Sequence, residues 1–178
     1  MPSLITSTFS YLTIFSHILF VFLLAAFLSR RSWGGEIIGF VHKHAVPLSF
    51  LFALGGAVGS LLYSNLVGFE PCELCWWQRI FLFPQVVLFL VALIKKERRV
   101  FIYSVPLAFL GSIVALYHTY IQLGGETSVL PCTSAGAACA KVLVLEHGYI
   151  TIPTMSLTVF LFILLFAFIH RFYENHNA

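Results

Sequence analysis

Apolar residues run along the chain in five long blocks, with short polar stretches between them. Phe9 to Leu28 holds no Lys, Arg or Glu, and Ala45 to Val67 is similar but richer in glycine. Trp77 to Ile94 carries one Arg near its start, Val100 to Leu123 contains Pro106 and His118, and Ile152 to Ile169 is the last. Each block is close to the ~20 residues that cross a hydrocarbon core as a helix. None shows the polar alternation of a membrane strand, and only helices or closed barrels satisfy their backbone groups in lipid. The pattern predicts five transmembrane helices. Between the first two blocks, Ser32 to His44 sets Trp33, Ile37, Ile38, Phe40 and Val41 among polar residues. An amphipathic helix lying along the interface and a plain connecting loop both fit it.

Composition agrees and narrows the class. The 178 residues are 60% hydrophobic and 10% charged, with a mean hydropathy of +0.95. A soluble domain is nearer a quarter charged, so a water-facing globule and a disordered chain are both excluded. There is no Asp, which removes EF-hand loops, Walker-B carboxylates and Asp-based triads. The net charge of +3 is small and scattered, which argues against nucleic-acid binding.

The basic residues then orient the spans. Arg30, Arg31, Lys43, Lys95, Lys96, Arg98, Arg99 and Arg171 all fall on one side if the five spans alternate; Arg79 and Lys141 fall on the other. The positive-inside bias puts the N-terminus and two loops outside, about Gly68 to Trp76 and Gly124 to Thr151, and the C-terminus in the cytoplasm. In the first block the charges follow the apolar run instead of preceding it, so it reads as an uncleaved anchor, not a secretory signal.

All four cysteines, Cys72, Cys75, Cys132 and Cys139, fall in those two outer loops. Free cysteine usually sits among buried apolar residues, and the outer side of a bacterial cytoplasmic membrane is where disulfides persist. Two disulfides are therefore expected, in any of three pairings. Cys72-Glu73-Leu74-Cys75 is a C-x-x-C pair just ahead of a helix, whose positive dipole end favours a thiolate. Arg79 is one turn deeper on the same face as Cys75, placed to stabilise a thiolate or a bound anion. Its alternative is a side chain that snorkels to the interface. Cys132 and Cys139 flank a small, flexible Thr-Ser-Ala-Gly-Ala-Ala linker that suits docking with another protein. Two pairs on one membrane face can relay electrons by thiol–disulfide exchange. Two structural disulfides, or one zinc ion held by all four sulfurs, are the inert alternatives.

The run Pro71-Cys72-Glu73-Leu74-Cys75-Trp76-Trp77-Gln78-Arg79-Ile80 resembles the C-x-x-C-x-x-x-R signature of the DsbB family of bacterial membrane proteins. Tyr117 to Leu123, Pro131-Cys132, Cys139-Ala140-Lys141 and Gly148 to Pro153 resemble further parts of that family, so that the likeness spans roughly Ala45 to His170. It implies a four-helix transmembrane bundle at 45–170 with two periplasmic redox loops. A cytoplasmic tail follows at 171–178. The segment 1–44, with its additional N-terminal transmembrane helix, has no counterpart in the usual four-helix family plan.

The resemblance also implies a function: a thiol oxidase of the bacterial inner membrane that reoxidises a periplasmic DsbA-type dithiol protein and reduces a membrane quinone, ubiquinone or menaquinone. By position, Cys132 would be attacked by the partner, Cys139 would exchange with Cys72, and Cys75 would face the quinone. Arg79 would hold that quinone, and His118 takes the place of a family histidine near it. A pocket is expected at the outer ends of the Cys72 helix and the Val100 to Leu123 helix. Trp76, Trp77, Phe81 and Phe83 would either line it or form an interface belt. No metal is implied. The six-residue spacing within the second pair is shorter than in the best-known members. An enzyme of the vitamin K epoxide reductase type would place its C-x-x-C after the loop pair, and a CcdA-type carrier needs cysteines within its spans; neither pattern occurs here.

Overall fold

The computed structural model of the chain describes residues 2–31, 33–125 and 137–177. These form α1 (Pro2–Leu28), α2 (Gly34–Lys43), α3 (Ala45–Asn65), α4 (Glu73–Lys95), α5 (Phe101–Gln122), the short α6 (Ala137–Ala140) and α7 (Ile152–Asn177). Helices α1, α3, α4, α5 and α7 are long and apolar enough to cross a membrane, and they correspond to the five apolar blocks. The protein is an all-helical membrane bundle.

α7 is the hub. Its Phe160, Phe162, Ile163 and Phe166 are fully buried, and it packs against α5, α3, α2 and α1. α4 packs between α3 and α5. Lipid tails are as apolar as the side chains, so close packing and polar contacts hold such helices together. Phe52 of α3 stacks on Phe162 at 4.1 Å, and Phe20 of α1 meets the same ring edge-on at 5.4 Å. Between α4 and α5, Ser104 donates to Gln85 Oε1 at 2.7 Å. Gln85 in turn donates to the Phe81 carbonyl at 3.1 Å, one residue after Pro84, which lacks the N–H of a regular helix position.

Two element boundaries differ usefully from the apolar pattern. α4 starts at Glu73, four residues before Trp77. Cys72 is its N-cap, with extended backbone (φ −72°, ψ 173°) and a carbonyl that accepts from Trp76 N–H at 3.1 Å. Cys75 therefore lies inside the first helical turn. The stretch after Ser32 is a helix: α2 buries Ile38 and Val41. It starts hard against α1: a Cβ at position 34 would collide with the Ala26 carbonyl, so only glycine fits.

The two ends of the bundle differ in chemistry. At one end Arg30 lies over the rings of Phe27 and Phe172, at 5.0 and 4.6 Å. His42 of α2 stacks on His170 and Tyr173 at the end of α7, and Phe101 at the start of α5 packs on His170. The first basic loop, the start of α5 and the end of α7 thus share one end. Cys72, His118 and Cys139 share the other.

Candidate redox site

The site begins with the short spacing of Cys72 and Cys75. As N-cap and third residue of α4, they fall on one face, and their Sγ atoms are 3.0 Å apart. Cys72 is pushed up to about 12, first by its hydrogen bond with Cys75 and then by burial, with His118 opposing. The proton shared by the pair therefore belongs on Cys72.

His118, near the C-terminal end of α5, is buried and is fixed from two sides. Gln78 Nε2 donates to its Nδ1 at 2.9 Å. With the Gln78 amide so oriented, the ring proton is on Nε2, which lies 3.2 Å from the Cys139 carbonyl and 3.8 Å from Cys72 Sγ. The histidine expected beside a quinone thus meets the sulfurs, and it does not line the cavity described below. Cys139, on α6, is buried in a small cluster with Leu74 and Ile121, against which Cys72 packs. The structure thereby brings one cysteine of the second loop to the first pair. Cys132 lies outside the described residues.

Arg79 is tied to the neighbouring helix. Its Nε donates to Ser60 Oγ at 2.8 Å, and its terminal nitrogen donates to the Ser60 carbonyl and to Ser64 Oγ, each at 2.9 Å. The guanidinium also lies over the Trp76 ring, 5.2 Å from its centre. These partners satisfy a cation at the membrane edge, where an unpaired one is costly.

A cavity of about 530 Å³ opens beside the pair. Cys75, Gln78, Arg79 and Leu82 form its α4 wall, and α1, α3 and α7 supply the rest. It lies on the opposite side of α4 from the expected α4–α5 pocket. The reason is packing: at the cysteine end the α4–α5 seam is filled by the Gln78–His118 hydrogen bond and by Leu74, Ile121 and Cys139 packed together. α3, by contrast, offers Gly55, Gly56, Gly59 and Ser60 to the space between helices. Trp76 and Trp77, each 53% exposed, lie outside the cavity. Phe81 and Phe83 also lie outside it and pack against the bundle core.

Sequence reasoning missed Gln78, Ser60 and Ser64. Gln78 carried a usable signal, since a buried amide in a membrane helix needs a partner. The serines did not, because a helical serine commonly bonds its own backbone. One group among the described residues has the reach for a soft cation: Cys72, Cys75 and His118, whose ligand atoms all lie within 4.8 Å of one another. Three ligands fall short of the four of a structural zinc site.

A close cysteine pair packed toward a third cysteine, at the end of membrane-length helices, is the arrangement of a membrane thiol oxidoreductase. The family model described as "Disulfide bond formation protein DsbB" matches residues 42–170, and the chain belongs to that family. It is 42% identical over 113 residues to the SPbeta prophage-derived disulfide bond formation protein B of Bacillus subtilis, covering 64% of this chain and 76% of that protein. It is 40% identical over 129 residues to a probable disulfide formation protein C 1 of Bacillus anthracis, covering 67% and 89%. Identity to the disulfide bond formation protein C of Bacillus subtilis is 36% over 119 residues, covering 66% and 86%. No solved structure matches the chain. The protein is thus a disulfide-bond-forming membrane protein.

Proposed function

We propose that the chain oxidises a DsbA-type thioredoxin-like dithiol protein on the outer side of a bacterial cytoplasmic membrane and delivers the electrons to a membrane quinone. One observation carries the reading. The two sulfurs of the first pair face different surroundings: Cys75 lines the apolar cavity, while Cys72 contacts His118 and packs toward Cys139. The cavity suits a quinone, with walls that are almost entirely apolar and a polar edge formed by Arg79, Gln78 and Ser60. A bound quinone would supply a two-electron, two-proton acceptor, so that the Cys72–Cys75 dithiol becomes a disulfide as the quinone becomes the quinol.

The protein's own residues perform the exchange. A partner thiolate attacks Cys132 of a Cys132–Cys139 disulfide and releases Cys139 as a thiolate. Cys139 then attacks Cys72 of the Cys72–Cys75 disulfide, and Cys75 leaves as the thiolate on the cavity side. A second partner thiolate resolves the mixed disulfide at Cys132, leaving the partner oxidised. Cys132 then attacks Cys139 in the Cys139–Cys72 bond and re-forms its own pair, leaving Cys72 and Cys75 as the dithiol. His118, with Nε2–H beside Cys72 and the Cys139 carbonyl, holds the exchanging segment and, as a donor, favours a thiolate at Cys72. Arg79 sets a fixed positive charge at the cavity edge, where the leaving thiolate forms.

The test is anaerobic mixing of the full chain with a reduced thioredoxin-like protein and either ubiquinone or menaquinone. One quinol should appear per dithiol oxidised; loss of dithiol without quinol would refute the reading.

A further inference from the structure

α1 lies outside the family match, which starts at residue 42, yet it lines the cavity at Cys75. We propose that α1 is the bilayer-side wall of the quinone site and confines the isoprenoid tail of that ligand; this rests on the function proposed above. The geometry assigns α1 three tasks. At its outer end Phe9 packs against Gly59, where a Cβ would come within 2.9 Å of the ring, and against Tyr63 at 5.7 Å. That contact forms the cavity wall beside the polar edge. Farther along, His17 Nε2 meets Thr158 Oγ1 at 2.9 Å, and Phe20 rests on Phe162, so α1 leans on α7.

Between Phe9 and Phe20 the helix rises about 16 Å. Over that length Leu12, Thr13, Ser16 and Leu19 face the cavity. Opposite them α3 presents Gly55, where a Cβ would meet nothing within 4 Å, so that room is left instead of filled. The result is a slot that is polar at Arg79 and Ser60 and apolar along α1. A ligand with a polar redox head and a flexible hydrocarbon tail has that distribution. Without α1 the slot would be an open groove facing lipid, because α3, α4 and α7 supply its other walls.

The experiment uses the full chain in lipid nanodiscs, a reduced thioredoxin-like protein, and two quinones with the same head group, one long-tailed and one short-tailed. Thr13→Trp and Ser16→Leu both add bulk on the cavity face. Each should raise KM for the long-tailed quinone by about tenfold, equivalent to about 1.4 kcal/mol, with kcat nearly unchanged and a smaller shift for the short-tailed quinone. Ile18→Trp, on the exposed face of α1, should leave both values as in the parent protein. Ser16→Leu is the milder change and keeps the test valid if Thr13→Trp does not insert. Unchanged KM in the cavity-face variants of a protein that reduces quinone overturns the role of α1 and leaves the proposed function standing. An equal shift from Ile18→Trp also overturns it, because the effect would then be a general disturbance of α1. A parent protein that reduces no quinone overturns both readings.

Discussion

Cys72 and Cys75 are neighbours with different duties, and the difference comes from what each touches. Cys72 has its proton held by the hydrogen bond with Cys75 and by burial, so the reduced pair should alkylate slowly at Cys72 at pH 8. Cys75→Ala removes the larger of those two causes, and Cys72 should then label faster at the same pH. Mass-spectrometric labelling of the reduced protein checks this, and equal rates would mean that burial alone holds the proton. Gln78→Leu should leave His118 Nδ1 as a buried acceptor without its donor and slow exchange between Cys139 and Cys72 by about tenfold, about the ~1.4 kcal/mol that a lost buried hydrogen bond is worth; single-turnover disulfide mapping reads that rate. Arg79→Ala should raise KM for quinone. It should also lower the melting temperature, because three hydrogen bonds to α3 go with it. At this scale the sequence was informative where chemistry is carried by rare residue types. Cysteines and a lone arginine beside a membrane span stand out. Gln78 and Ser60 did not, because their importance lies in partners on other helices, which spacing along one helix cannot reveal.

Helix number and approximate extent were legible because lipid demands long uninterrupted apolar runs. The start of α4 was not, because Pro71, Cys72 and Glu73 interrupt the apolar run while the backbone is already turning helical. α2 was open between helix and loop because ten residues carry too little periodicity to decide; tertiary packing on α7 decides it. That packing is pH-sensitive. His42 stacks on His170 and Tyr173, and burial, with Arg98 nearby, lowers its pKa below the usual 6.5 while Glu174 opposes. A folded-state pKa that is depressed means the unfolded helix binds the proton more readily. The docking contribution is therefore complete above about pH 6.5 and is lost as pH falls through the lowered value. Hydrogen-exchange protection factors in residues 34–43, corrected for the intrinsic rate at each pH, should fall between pH 7.5 and 5.5, and His42→Phe should flatten that response. An equal fall in His42→Phe would place the sensitivity elsewhere.

Across the whole molecule, among the described residues, most of the basic side chains and the cysteines lie at opposite ends. The sequence alone predicted this from eight basic residues against two, and the bundle agrees: Arg30 and His42 meet the end of α7, while Cys72, His118 and Cys139 meet at the far end. A topology reporter fused to the C-terminus should read cytoplasmic, and a periplasmic signal would reverse the orientation. The side of α4 on which the cavity lies was beyond the sequence, since it depends on which helix pairs pack tightly and which leave space. The central claim is that electrons leave the thiol pair through Cys75. Its most direct test is quinone reduction by Cys75→Ser mixed with a reduced thioredoxin-like protein. The account predicts no quinol, together with a partner still trapped as a mixed disulfide at Cys132; quinol formed at the parent rate would contradict it.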